Sequence, residues 1–245
     1  MFRTSNPTMK EKFFDREVTY SGPTMTLRGT IGKSFLLLMI LVVSAVVGWQ
    51  IANPIVLIGT FFLGLGVAIA VCVKREWAPV LAPIYAIVEG VFVGGISSWY
   101  ATAQATTKYP GAVPLAVLGT VCVFGIMLFL YATRVIKVTE TFKMVVVGAT
   151  IGIMVTYLGS WLMSIFIPNI WQMPIYGNGW IGIAFSAFVI VIAAMNLALD
   201  FNLVEEGVNN EAPQYMEWFA GFALLVTLVW LYLEILRLIS KLSGR

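Results

Sequence analysis

Seven apolar stretches dominate this 245-residue sequence, each close to the ~20 residues that an α-helix needs to cross a bilayer. They run approximately Ser34–Ala52, Ile55–Val73, Pro79–Tyr100, Val113–Ala132, Met144–Ile167, Trp180–Asp200 and Trp218–Ile239. The expected fold is all-α: a polytopic integral membrane protein, built as a seven-transmembrane-helix bundle over residues 34–245, with a polar tail over residues 1–33. Composition agrees. The chain is 60% hydrophobic and 11% charged, against ~25% charge in an ordinary soluble domain. Fifteen Lys+Arg and twelve Asp+Glu are too few to coat a globular surface of this size, so lipid is expected to cover most of it.

Absent residue types exclude whole chemistries. Without a single histidine the chain builds no Ser-His-Asp triad, no zincin site and no His-ligated haem. Its two cysteines, Cys72 and Cys122, lack CxxC spacing and have apolar neighbours, which reads as small buried hydrophobes. No phosphate-binding motif supports ATP-driven pumping. The chain is expected to be non-enzymatic, with no cofactor, no resident metal and no nucleic-acid partner.

Topology follows from charge. The tail carries Arg3, Lys10, Lys12, Arg16, Arg28 and Lys33, and the second and fourth connections carry Lys74, Arg75, Arg134, Lys137 and Lys143; the opposite loops hold only Lys108. By the positive-inside rule the N-terminus faces the cytoplasm. The acids Glu11, Asp15 and Glu17 argue against a secretory leader, so the first span stays in the protein. The last hairpin departs from the pattern: its loop, Glu205 to Gln214, has three Glu and no Lys or Arg, while Arg237, Lys241 and Arg245 gather near the C-terminus. Seven full spans fit the apolar length, and a re-entrant seventh segment is the alternative. Trp49, Trp77, Trp99, Trp180 and Trp218 fall near span ends as an aromatic belt, with Trp230 deep in the seventh. Gly90-x-x-x-Gly94 and Gly148-x-x-x-Gly152 read as packing positions.

Four charges lie inside the predicted spans: Glu89, Asp200, Glu234 and Arg237. Each needs a partner, a proton, a cavity or an interfacial escape, because a charge at the bilayer centre costs about 2.5–3.5 kcal/mol. Glu89 has no Lys or Arg at its depth in the first six spans, which makes it a candidate proton- or cation-responsive group; the plainer reading is a neutral carboxyl bonded to a neighbouring helix. Asp200 ends the sixth span, and Asn196, four residues earlier, shares its helix face as a supporting polar group. Glu234 stands three residues before Arg237, a spacing that suits an intrahelical ion pair with the arginine snorkelling outward. With no imidazole available, any pH response near neutrality must come from carboxyls.

The order of several short motifs resembles the Bax inhibitor / YccA family of membrane proteins, the transmembrane Bax inhibitor motif proteins, and more closely its bacterial branch. The cues are Asn6-Pro-Thr-Met-Lys-Glu-Lys-Phe-Phe14, Met25-Thr-Leu-Arg-Gly-Thr-Ile-Gly-Lys33, Glu89-Gly-Val-Phe-Val-Gly94, Val138-Thr-Glu-Thr-Phe142, Leu199-Asp-Phe201, Tyr215-Met-Glu-Trp218 and Leu228-Val-Trp-Leu-Tyr-Leu-Glu-Ile-Leu-Arg-Leu238. The resemblance implies two antiparallel helix triplets around a central seventh helix, with a cytoplasmic N-terminus, in a bacterial inner membrane. It also implies a pH-sensitive calcium leak channel, gated by a pair of aspartates on the sixth and seventh helices that share a proton. Other relatives suppress cell death or restrain a membrane-bound protease.

Asp200 matches the first aspartate of that pair. For the second, Leu231-Tyr-Leu-Glu234 fits the family's local motif, but it comes 34 residues after Asp200. In an antiparallel hairpin turning near Asn209, Glu217 comes level with Asp200, whereas Glu234 lies about 24 Å farther along. Both remain candidates. The leading expectation is thus a passive cation pathway with calcium or protons as its ions. The alternative is a non-enzymatic regulator that binds another membrane protein through its helices or through the tail. An intramembrane aspartyl protease needs two aspartates, and Asp200 is the only one after Asp15. A secondary transporter using Glu89 is a further reading.

Overall fold

A computed structural model describes residues 22–104, 111–166, 175 and 177–243. Residues 1–21 of the tail, with Lys108, Asn169 and Arg245, lie outside these described residues. Seven long helices follow in order: α1 (Leu27–Ile51), α2 (Pro54–Val73), α3 (Ala78–Gln104), α4 (Ala112–Ala132), α5 (Glu140–Phe166), α6 (Trp180–Asn209) and α7 (Met216–Ser243). Each is long and apolar enough to cross a membrane. The seventh is one continuous helix, so the re-entrant alternative falls.

Local chemistry sets the boundaries. The Thr26 side chain caps α1 by accepting the Gly29 N–H at 3.0 Å. The α1–α2 connection is only Ala52 and Asn53; Asn53 caps the Ile55 N–H, and Pro54 opens α2 where its missing donor costs nothing. The first helix therefore starts at Leu27, earlier than the apolar run beginning at Ser34, because a capped polar turn extends past the hydrocarbon and leaves no hydropathy signal.

Packing divides the helices as the resemblance implied. Helices α1 and α2 pack on α3; α4 and α5 pack on α6; α7 lies between the two sets and touches α1, α3, α4 and α6. The α1–α3 contact is close enough that a Cβ on Gly48 or Gly94 would run into the backbone carbonyl of Val91 or Ala45. Gly90 and Gly94 thus serve packing as expected. Gly148 and Gly152 do not: nothing among the described residues lies within 4 Å of where their Cβ atoms would stand.

The core runs along α7, through Leu225, Val229, Leu231 and Leu236, against Leu37, Leu41, Tyr85 and Leu197. Large apolar side chains of α1, α2, α4 and α5 face outward, as lipid-covered helices require. Cys72 and Cys122 are also exposed, contrary to their expected burial, because each falls on an outer helix face.

Candidate functional site

Three polar residues of α7, Thr227, Glu234 and Lys241, are spaced by seven, about two turns, and so share one stripe of the helix. All three are buried. Their partners differ, and that difference separates the candidate residues.

Asp200, in the last third of α6, turns its carboxyl toward α7. The side chain that reaches it there is Thr227. The Asp200 Oδ2 atom is buried and has no hydrogen-bond partner among the described residues. Glu217 does not come level with it. Residues 210–215 are spent on the connection, α7 starts only at Met216, and the register brings Thr227, about three turns into α7, opposite Asp200.

Glu217 lies instead at the N-terminal side of the bundle, only 2% exposed. Its Oε1 accepts from the Thr26 N–H and the Thr26 hydroxyl, each at 2.8 Å, and its Oε2 pairs with Lys33. The backbone ties the same place together: the Met25 N–H donates to the Ala212 carbonyl at 2.7 Å and the Gln214 N–H to the Pro23 carbonyl at 3.0 Å. This is a strap joining the start of α1 to the α6–α7 turn.

Glu234 is 1% exposed and bound on one side only. Its Oε2 accepts from Arg237 at 2.8 Å and from the Tyr157 hydroxyl of α5 at 3.1 Å, while Oε1 is a second buried oxygen without a partner. The intrahelical pair forms as the spacing suggested. Arg237, however, does not simply snorkel: it donates to Tyr157 at 2.6 Å and lies over its ring. Glu234 therefore meets α5, not Asp200.

Glu89 is bonded to Tyr85, one turn earlier on its own helix, and its carboxyl rests against Gly64 of α2. Asn196 donates to the Thr150 hydroxyl of α5 at 2.8 Å and to the Ile192 carbonyl at 2.9 Å, so it braces α6 against α5 and leaves Asp200 to α7. The four acids occupy four separate places.

Two features escaped sequence reasoning. Thr227 carries no charge and sits in an apolar run; the seven-residue spacing to Glu234 is the signal that picks it out. Lys241, assigned to a basic tail, is buried and donates to the carbonyls of Ile175 and Gly182 and to the Ser186 hydroxyl at 2.9–3.0 Å. The acidic last hairpin is also resolved: Glu205 pairs with Arg134 at 2.6 Å and Glu206 with Lys143 at 2.8 Å, so those acids meet the basic α4–α5 connection on the same side. The Glu205 contact pushes the Arg134 pKa up and keeps it charged.

Chemically, Asp200 and Thr227 form a pair of hard oxygen groups, with Thr227 and the Asp200 Oδ2 atom buried. A carboxylate so placed holds either a proton or a cation, since an unpaired buried charge is costly. The buried acids of α7, Glu217 and Glu234, already have cationic neighbours. The model of the Bax inhibitor 1 like family matches residues 6–244, nearly the whole sequence. The chain belongs to that family. The comparison with curated proteins returned no match. As a Bax inhibitor 1 like protein it has the expected seven-helix membrane fold with α7 at the centre, but where an aspartate pair was expected between the sixth and seventh helices, Asp200 meets a threonine.

Proposed function

We propose that this Bax inhibitor 1 like protein is a passive, pH-modulated cation pathway along the α6–α7 seam, with calcium as its ion and Asp200 as the group that switches it. The observation that carries this reading is that Thr227 reaches the Asp200 carboxyl while its buried Oδ2 has no hydrogen-bond partner among the described residues. Glu217 and Glu234 are each neutralised by a nearby Lys or Arg, and Glu89 lies off the seam beside α2.

An ionised Asp200 attracts a cation into the seam, and a protonated one does not. Carboxylate and hydroxyl oxygens suit calcium, yet two groups fall short of its usual six to eight ligands, so binding is weak enough for the ion to move on. No catalytic step enters this reading. Because one acid does the switching, the response is a single-proton one. A shared aspartate pair would titrate in two coupled steps.

The test is calcium flux into liposomes carrying the purified protein, followed from about pH 6 to 8. Flux rises with pH in the wild type as Asp200 takes up charge. In Asp200→Asn it falls by roughly tenfold or more and loses its pH dependence, the loss of one charged ligand being worth at least ~1.4 kcal/mol. Unchanged flux with an unchanged pH response in Asp200→Asn contradicts the proposal.

A further inference from the structure

The short 3-10 turn between α2 and α3, Arg75–Trp77, opens onto a cleft of about 470 Å³. Its wall includes Cys72, Lys74, Arg75, Trp77 and Tyr215, from the end of α2, the turn and the α6–α7 connection. Neither Lys74 nor Arg75 forms an ion pair among the described residues. Both are held by aromatic rings instead: the Lys74 ammonium stands 4.4 Å from the Trp77 ring centroid, and the Arg75 guanidinium 5.0 Å from that of Phe219. Ring contacts orient the two cations while leaving their N–H donors unspent.

Depth adds a second constraint. Lys74 and Arg75 directly follow Val73, the last residue of a 20-residue apolar span, and Trp77 is half exposed beside them. That is where headgroup phosphates and interfacial aromatics meet. Glu76 is the cleft's one carboxylate, and the wall stays net positive.

We propose that this cleft binds a phosphate anion at headgroup depth, supplied by an anionic phospholipid of the leaflet on the N-terminal side. Arg75 offers a planar pair of donors to two phosphate oxygens and Lys74 a point charge to a third, while Trp77 and Tyr215 flank the glycerol region. A lipid seated there touches the end of α2, the α2–α3 turn and the α6–α7 connection together. The site is independent of the ion pathway proposed above.

The test is retention of phosphatidylglycerol against phosphatidylcholine by the full chain, read by native mass spectrometry after extraction from vesicles containing both. Wild type is expected to keep phosphatidylglycerol preferentially. The double variant Lys74→Gln/Arg75→Gln is expected to lose that preference by roughly thirtyfold, since each cation near an anionic surface contributes separately. Lys137→Gln, an exposed cation on the same side but outside the cleft, is expected to leave it intact. Both substituted positions are exposed, so folding is expected to survive, and an unchanged melting temperature checks this. Adding millimolar inorganic phosphate separates the sources: undisturbed lipid retention supports a lipid headgroup, and displacement of the lipid supports a phosphate site that also takes soluble anions. Equal retention of the two lipids by wild type, or a preference unchanged in the double variant, overturns the proposal.

Discussion

Three acids of the α6–α7 hairpin behave differently because of what stands beside each. Glu217 is matched by Lys33, so Lys33→Met leaves a buried carboxylate unpaired and is expected to destabilise the protein by about 3 kcal/mol, seen as a lower midpoint in thermal or denaturant unfolding. Glu217→Gln, which still accepts from Thr26, is expected to cost less. Glu234 shares Arg237 and Tyr157, which makes it a brace between α7 and α5. Among the described residues, Asp200 has only Thr227. Thr227→Asp therefore places a second carboxyl against the first, and the pH response of flux is expected to change from one step to two coupled steps. None of these neighbours is visible in one dimension. The sequence marks Asp200, Glu217, Glu234 and Glu89 as acids worth explaining, but which of them lacks a cation depends on register.

At the scale of helices, apolar length alone was sufficient to count the spans, and capping residues explain where the count was loose. Hydropathy is blind to Thr26–Lys33, a polar stretch that is helical because it is capped and strapped to α7. The hairpin register differs because a tight turn at Asn209 would bring Glu217 level with Asp200, whereas α6 runs to Asn209 and residues 210–215 are spent on the connection, which moves Glu217 away from Asp200 and puts Thr227 there. Glycines give a direct test of helix packing. Gly94→Val drives a side chain into the Ala45 backbone and is expected to destabilise the α1–α3 contact by roughly 1–3 kcal/mol in thermal unfolding. Gly152→Ala meets nothing, and helix propensity predicts a change of zero to about +1 kcal/mol in stability. The two substitutions look alike in sequence, since both glycines belong to a Gly-x-x-x-Gly step.

The molecule as a whole is a sheath of lipid-facing helices around one polar-striped axis. Its N-terminal side is closed by charge pairs: Lys33 with Glu217, Arg134 with Glu205, Lys143 with Glu206. The far end of α7 is held by Lys241 on α6. Between them, Asp200 and Thr227 form the point on the α6–α7 seam where, among the described residues, no Lys or Arg pairs with the acid. In the proposed function this single acid sets ion passage. It is tested most directly by the slope of calcium flux against pH in liposomes, compared among wild type, Thr227→Asp and Asp200→Asn. A one-proton rise with pH is expected in wild type, a two-step curve in Thr227→Asp and a low, flat line in Asp200→Asn. A pH-dependent flux that persists in Asp200→Asn contradicts it.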